Sequence, residues 1–249
     1  MSNPANSPAI IDGQQDENHP ASKVSDPKQG PSSTAKLIIA HHSTRAFLPT
    51  PVPQPLLEEI LQLAQRAPSN SNIQPWRMHI LTGAALQRLS AKLTAVAKSG
   101  APPTAQSIPD AFRHYRSELG HRLYGPEGYN ISRSDTEALL AARLRNYSFF
   151  EAPVGAIVSM DGRLAQPDAL SVGLYLQTLC LLLAESGVAT CIVVSVTEYP
   201  EVVREALGLG ADMVLLTGLA AGYEDEAKMV NHFRTERDAW RECVTFLEE

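Results

Sequence analysis

The stretch Ala67-Pro68-Ser69-Asn70-Ser71-Asn72-Ile73-Gln74-Pro75-Trp76 is a run of small polar side chains between two prolines, closed by a tryptophan. Apolar residues recur at helical spacing just before it, which predicts a helix over residues 55–67. Pro68 lacks an amide hydrogen and disfavours helical angles at the preceding residue, so the helix should end there. The apolar residues 78–82 then predict a strand. The segment is therefore a polar loop between two regular elements, either a ligand-binding loop or a capped turn.

A second polar segment, one helix upstream, reads His41-His42-Ser43-Thr44-Arg45-Ala46-Phe47. Its arginine is a permanent cation whose planar fork fits phosphate oxygens, and the serine hydroxyl and the histidine rings can donate beside it. Together the two segments resemble the nitroreductase family of FMN-dependent oxidoreductases. That family begins with a basic pair, a serine, any residue and then Arg or Lys, followed by an aromatic residue. One helix later it carries Pro-Ser-x-x-Asn-x-Gln-Pro-Trp, a pattern that is complete here.

The resemblance covers the chain from about residue 36 onwards and implies an α+β fold. In that family a three-layer α/β/α sandwich surrounds a central mixed sheet, and two chains form an interlocked homodimer with FMN at the interface. The cofactor-binding residues that the resemblance implies are His41, His42, Ser43 and Arg45 from one subunit and Pro68, Ser69 and Asn70 from the other. Asn72 is expected to brace the loop or to approach the flavin ring. Asn146 is expected to face the ring or the ribityl chain.

Two further regions complete the implied flavin site. The family has a basic motif directed at the phosphate where this chain carries Arg234 and Arg237; a salt-bridged surface is the alternative, because acidic residues lie nearby. After its long apolar helix the family carries a polar residue and a glycine near the flavin N5. Two valines replace them here, and a backbone N–H of Val194 or Ser195 is expected to serve instead. His41 similarly replaces an arginine that is usual in the family.

The resemblance implies an enzyme in which NADH or NADPH delivers hydride to the flavin N5, after which a nitroaromatic or quinone-like acceptor takes the electrons in a ping-pong cycle. The flavin would carry the chemistry, so no catalytic side chain is assigned. Three alternatives stay open: an FMN oxidase or dehydrogenase in a biosynthetic pathway, a flavin-binding protein without turnover, and a helical scaffold without flavin. The sequence selects neither the nicotinamide donor nor the small-molecule acceptor.

Composition limits the class of protein further. The 249 residues suffice for one FMN-binding domain, assigned to residues 36–249, behind a polar tail over residues 1–35 that is expected to be disordered. The formal net charge of −6 argues against a nucleic-acid surface. The apolar run 169–184 is interrupted by polar residues and predicts a buried helix instead of a membrane span. No secretory signal is visible and the three cysteines lack zinc-site spacing, so a cytoplasmic protein without a metal is expected.

The rest of the chain alternates helices and strands, which favours a layered α+β or α/β fold. Helical periodicity predicts helices over residues 84–98, 111–123, 134–150, 167–186 and 199–207, and an acidic helix at the C-terminus. Short apolar runs predict strands over residues 154–160, 189–196 and 213–220. Residues 101–133 are expected to form a mobile insert on the substrate side. Its candidates for stacking on an acceptor are Phe112, Tyr115 and Tyr124, although a helix packed on the body is the alternative.

Overall fold

A sheet of four strands lies between two layers of helices. The structure is a computed structural model that describes residues 32–104 and 108–248. Along the chain the helices and strands are α1 (Ser33–Ala40), α2 (Gln54–Ala64), β1 (Arg77–Thr82), α3 (Gly83–Lys98), α4 (Arg113–Tyr124), α5 (Thr136–Leu144), β2 (Val154–Asp161), α6 (Gln166–Glu185), β3 (Ala189–Val193), α7 (Pro200–Leu207), β4 (Met213–Gly222) and α8 (Trp240–Cys243). The predicted α+β sandwich is confirmed. Most of the tail predicted over residues 1–35 lies outside the described residues, and Ser33 already belongs to α1.

The sheet has the strand order β1-β2-β4-β3, and each pair of neighbouring strands is antiparallel. β2 is buried along nearly its whole length, because helices cover both of its faces. An isolated parallel bridge joins Ser43 to Thr190 of β3, so the segment between α1 and α2 lies against the β3 edge. Among the described residues, the parallel pairing expected of a mixed sheet is limited to this bridge.

Two apolar cores fill the space between the sheet and the helices. On one face, α2 and α6 pack against Val154, Ala156 and Val158, which alternate along β2. On the other face, α3 and α7 pack around Ile157, which points the opposite way, and Phe149. This alternation is the period-2 pattern of a strand buried on both sides. The cores therefore fix the three-layer arrangement.

Three predicted elements are shorter than the periodicity suggested. The helix predicted over 134–150 ends at Leu144, and the strand predicted over 189–196 ends at Val193, where a 3-10 turn (Val194–Thr197) begins. The predicted C-terminal helix is reduced to the four residues of α8. In each case apolar side chains continue past the end of the element, so composition alone could not mark the boundary.

A left-handed turn explains the early end of α5. Phe149, Phe150 and Glu151 have φ values of 53°, 54° and 63°, a region that residues with side chains rarely adopt. The Phe149 ring is fully buried, and its atoms lie 3.1 Å and 3.3 Å from where a Cβ on Gly155 and on Gly218 would stand. Burial of two phenylalanines stabilises the turn against its backbone strain, which is of order 1–3 kcal/mol for each such residue.

The longest helix, α6, was predicted to be buried and is a core helix of the sandwich. It contacts α2, β3 and α1, and Tyr175, Leu179 and Leu183 on its inner side are each less than 3% exposed. By length and composition it is the one helix within the described residues that is apolar enough to cross a membrane. Leu170 and Leu174 on its outer side remain 66% and 43% exposed in the single chain.

Candidate flavin site

The first motif runs beside β3 and is held by short contacts. Thr44 N donates to Thr190 O (2.9 Å), and His41 Nε2 lies 3.1 Å from the Thr190 hydroxyl oxygen. Burial, together with the neighbouring His42, lowers the pKa of His41, so its ring is neutral near pH 7. His42 Nε2 lies 3.2 Å from a carboxylate oxygen of Glu224. The segment is therefore fixed on two sides, as a rigid cofactor site requires.

Asn231 joins the first motif to the second basic segment. Its Oδ1 accepts hydrogen bonds from Arg45 N (2.8 Å) and Ala46 N (3.2 Å), and its Nδ2 donates to Ala46 O (2.8 Å). Three residues further on, the Arg234 guanidinium donates to Asn231 O. The Arg237 guanidinium instead donates to carbonyl oxygens of its own exposed segment. The structure thus brings Arg234 close to the Arg45 region, while Arg237 lies at the surface.

Three buried polar atoms near Arg45 have no hydrogen-bond partner among the described residues: Thr44 Oγ1, Tyr129 OH and Arg145 Nε. Arg145 Nη2 donates to Arg45 O (3.2 Å). Burial raises the pKa of Tyr129. The positive charges of Arg145 and Arg45 act in the opposite direction on that pKa, so both guanidinium groups lie near the Tyr129 hydroxyl. A buried donor without a partner costs about 1–3 kcal/mol. A phosphate group accepts hydrogen bonds from such donors and is attracted to the neighbouring permanent cations. These residues therefore fit the phosphate end of FMN.

A thiol also lies in this region. Cys191 of β3 is buried, which raises its pKa, and a hydrogen bond to Ser43 and the charge of Arg45 partly oppose that shift. Its thiol therefore stays protonated near neutral pH. Ser43 is itself exposed, and its hydroxyl lies within hydrogen-bonding reach of the Cys191 thiol.

Arg145 and Asn146 lie on the turn that follows α5. Phe150 N donates to Arg145 O (2.8 Å), so the left-handed turn described above fixes the backbone of Arg145. The Asn146 amide donates to Arg143 O (2.8 Å) and lines a cleft. The predicted amide thus faces the cleft, while the neighbouring arginine faces Arg45. From the sequence, Asn146 was assigned a role and Arg145 beside it was not.

The cleft has a volume of about 740 Å³, within the range of roughly 300–1,000 Å³ typical of ligand sites. One side of α4 and one side of α5 form its walls, and the 3-10 turn after β3 contributes Ser195 and Glu198. Three of the predicted residues, Asn146, Ser195 and Tyr124, meet here. Val194 is 60% exposed and lies outside the lining.

The three candidate aromatic residues separate in the structure. The Tyr124 ring lines the cleft and lies 6.0 Å from the Tyr129 ring, so it connects the cleft to the Arg45 region. Phe112 and Tyr115 are 56% and 46% exposed and lie outside the lining. The Tyr115 hydroxyl donates to Asp238 of the C-terminal segment. Tyr124 is therefore the one member of the set that lines the cleft.

A tyrosine–carboxylate pair in the cleft was missed by the sequence reasoning. Tyr147 OH donates to Glu198 Oε2 (2.5 Å), and burial together with this hydrogen bond raises the pKa of Tyr147 well above its usual range. Tyr147 therefore stays protonated, and one Glu198 oxygen is engaged. No group of three or more His, Cys, Asp or Glu side chains in residues 32–104 and 108–248 could hold a metal ion.

The proline-bounded loop lies elsewhere in the same chain. Asn70 N donates to Ser171 Oγ (3.0 Å) near the start of α6, whereas the first motif contacts Thr190 beyond its end. Ser69 Oγ accepts from Gln74 N (3.1 Å), and Ser71, Asn72 and Gln74 have positive φ. Trp76 stacks on Tyr175 (4.6 Å, 8°), which anchors the loop to the core. A single chain thus does not bring the two predicted cofactor segments together.

Comparisons with known proteins identify the family. Residues 38–223 match the Nitroreductase family, and the chain belongs to it. A 4-nitrobenzoate reductase from Pseudomonas putida is 37% identical over 215 residues, which cover 85% of this chain and 94% of that protein. A nitrobenzene nitroreductase from Ectopseudomonas oleovorans is 31% identical, with coverage of 86% and 96%.

A solved structure agrees with this assignment. The FMN-dependent nitroreductase NfnB from Mycobacterium smegmatis, in complex with NADPH, superposes with a TM-score of 0.79 at 30% identity and covers 86% of this chain and 97% of its own. The resemblance seen in the two sequence motifs is therefore confirmed, as is the nitroreductase fold.

Proposed function

We propose that the chain is an FMN-dependent oxidoreductase that uses NADH or NADPH to reduce nitroaromatic or quinone-like acceptors. The observation that carries the proposal is the set of unpartnered buried donors beside Arg45, which adjoins a cleft of suitable size. The names of the similar proteins support it: one reduces 4-nitrobenzoate, one nitrobenzene, and NfnB is FMN-dependent and has been solved with NADPH.

Different residues of the chain hold different parts of FMN. Arg45, Arg145 and the Tyr129 hydroxyl hold the phosphate, with Ser43 beside them and Arg234 adding positive charge at the same end. Asn146 and the backbone around Ser195 line the ring end of the site. The Tyr124–Tyr129 pair joins the two ends, so one continuous surface accommodates the phosphate, the ribityl chain and the flavin ring.

Bound FMN supplies the redox chemistry, because it accepts a hydride from the nicotinamide donor and passes two electrons on. The overall reaction consumes one NAD(P)H and one proton for each nitro group that is reduced to nitroso, and it releases water. The protein orients the two reactants in turn over the same cleft. We assign no side chain to a covalent step, because the flavin carries the chemistry.

We also propose that the working unit is a homodimer. Leu170 and Leu174 on the outside of α6, with Ile38 and Ile39 on α1, are all more than 40% exposed in the single chain. Large apolar side chains exposed on neighbouring helices are typical of an interface between chains. In a dimer, Pro68, Ser69, Asn70 and Asn72 of one chain reach the site of its partner, since the loop and the first motif lie at different ends of α6. The compartment we propose is the cytoplasm, where the thiols of Cys180, Cys191 and Cys243 would stay reduced.

The proposal is tested by steady-state oxidation of NADH and NADPH by FMN-loaded protein, with and without a nitroarene. We expect turnover that requires both FMN and the nitroarene. Oxidation that proceeds equally well with oxygen alone would favour the oxidase alternative. A protein that binds FMN but oxidises neither nicotinamide would be a flavin-binding protein without turnover.

A further inference from the structure

We propose that the cleft between α4 and α5 binds a negatively charged substituent of the acceptor, so that the preferred substrates are nitroarenes carrying a carboxylate. The inference rests on the proposed function and names the class of acceptor for that same site. It is drawn from the distribution of charge along the cleft walls. Arg116 and Arg143 are the two residues assigned to the carboxylate.

The α4 wall presents a broad side of the helix to the cleft. Its lining residues are Arg116, Ser117, Leu119, Gly120, His121, Leu123 and Tyr124. Among them Arg116, Gly120 and Tyr124 repeat at a spacing of four, so they share one face. The face thus carries a cation at its N-terminal end and an aromatic ring two turns later. In an α-helix this separation is about 12 Å along the axis, the scale of a substituted aromatic acid together with the flavin edge that it faces.

The lining residues of α5 and of the turn after it are also spaced about one helical turn apart. Leu139, Arg143 and Asn146 lie four and three residues apart and all line the cleft, so Arg143 stands one turn before the amide at the ring end. Neither Arg143 nor Arg116 donates a side-chain hydrogen bond or forms an ion pair with any described residue. By contrast, Arg122 and Arg113 of the same helix are each paired with a carboxylate.

The charge of the lining is strongly unbalanced. Arg133 and His121 also line the cleft and bond to one another, which leaves Glu198 as the one carboxylate in the lining. Glu198 accepts a hydrogen bond from the protonated Tyr147, and its single negative charge can offset at most one of the two arginines. The chain as a whole has a formal net charge of −6, so this concentration of cations is local and opposes the overall charge.

Arginine is suited to a carboxylate, because its planar fork makes two parallel hydrogen bonds to the two oxygens. A nitro group is neutral and accepts such bonds only weakly. The carboxylate, and not the nitro group, is therefore the part of the acceptor that the arginine pair selects. The nitro group is then left free to point towards the ring end near Asn146.

The experiment compares 4-nitrobenzoate with 4-nitrobenzamide, a neutral acceptor of nearly the same shape, in the FMN-loaded enzyme. Wild type, Arg116→Gln, Arg143→Gln and the double variant are measured with a saturating nicotinamide donor. Arg88→Gln is the matched control, because Arg88 is an exposed arginine of α3 outside the cleft lining. We expect each cleft variant to lose roughly tenfold or more in kcat/KM for 4-nitrobenzoate, mainly through KM, with less than a threefold change for 4-nitrobenzamide.

Three results would overturn the inference. Equal losses for both acceptors would show that the arginines support the fold or the flavin. An unchanged preference in the double variant would show that they do not touch the acceptor. A rise in the KM for NADPH without one for NADH would assign the cations to the additional phosphate of NADPH. If wild type reduces neither acceptor, the proposed function itself fails, which is a separate outcome.

Discussion

Replacing Arg145 by Met gives the sharpest test of the phosphate end of the site. Met has a similar length and no charge, so the change removes the guanidinium with little loss of packing. In the protein without FMN, the change removes one hydrogen bond to Arg45 O (3.2 Å) and an ion pair with the mostly exposed Glu151 (3.6 Å). It also removes a buried N–H that has no partner among the described residues, worth about 1–3 kcal/mol. These contributions oppose one another, so the free energy of unfolding should change by less than about 1 kcal/mol.

The same substitution should have a larger effect on FMN binding than on the stability of the apoprotein. A charge-assisted hydrogen bond to phosphate contributes about 1.5–3 kcal/mol, so Arg145→Met should weaken FMN binding by roughly 10- to 150-fold. The dissociation constant is measured by quenching of FMN fluorescence, and stability by urea denaturation of the apoprotein. Arg143→Met is the control, since its side chain lies in the cleft two residues away and should leave FMN affinity within about threefold. FMN affinity that is unchanged in Arg145→Met, or an equal loss in Arg143→Met, would refute the reasoning.

Three other changes test neighbouring parts of the account. Arg45→Ala should weaken FMN binding by roughly tenfold or more without unfolding the chain; binding like that of wild type would make Arg45 a surface charge. Phe149→Ala should lower the free energy of unfolding by about 3–5 kcal/mol, because its ring fills a fully buried space over Gly155 and Gly218; a loss under about 1 kcal/mol in urea titrations would contradict that packing. The pKa of His41 is lowered by folding, so the unfolded chain binds more protons below pH 6.5, and the free energy of unfolding should fall as the pH drops through that value. His41→Asn should flatten that slope, and an unaltered slope would exclude His41 as its source.

Much of the fold follows from periodicity along the chain. The bounds of α3, α4 and α6 were predicted within about two residues, because apolar residues repeat at helical spacing and Gly187 ends α6 with a positive φ of 74°. The early end of α5 could not be predicted, because it depends on a left-handed turn of three residues with side chains. That turn is stabilised by the contact of Phe149 with two glycines on separate strands, a tertiary effect that local pattern does not contain.

The sequence predicted only those site residues that stand in a recognisable motif. Arg45, Ser43 and Asn146 stand in recognisable patterns, and the structure places them in or beside the region proposed to hold FMN. Asn231, which joins Arg45 to the C-terminal basic segment, ends a three-residue 3-10 turn and carries no signal in a single sequence. The Tyr129 hydroxyl likewise becomes informative only once its burial without a partner is seen.

The central claim is that this chain binds FMN and passes electrons through it from a nicotinamide to a nitroarene. An anaerobic titration of the FMN-loaded protein tests it most directly, with the visible absorbance of the flavin as the signal. We expect one equivalent of NADH or NADPH per flavin to bleach the band, and subsequent addition of 4-nitrobenzoate to restore it with loss of the nitro group. A flavin band that neither nicotinamide bleaches, or a bleached band that the nitroarene fails to restore, would contradict the account.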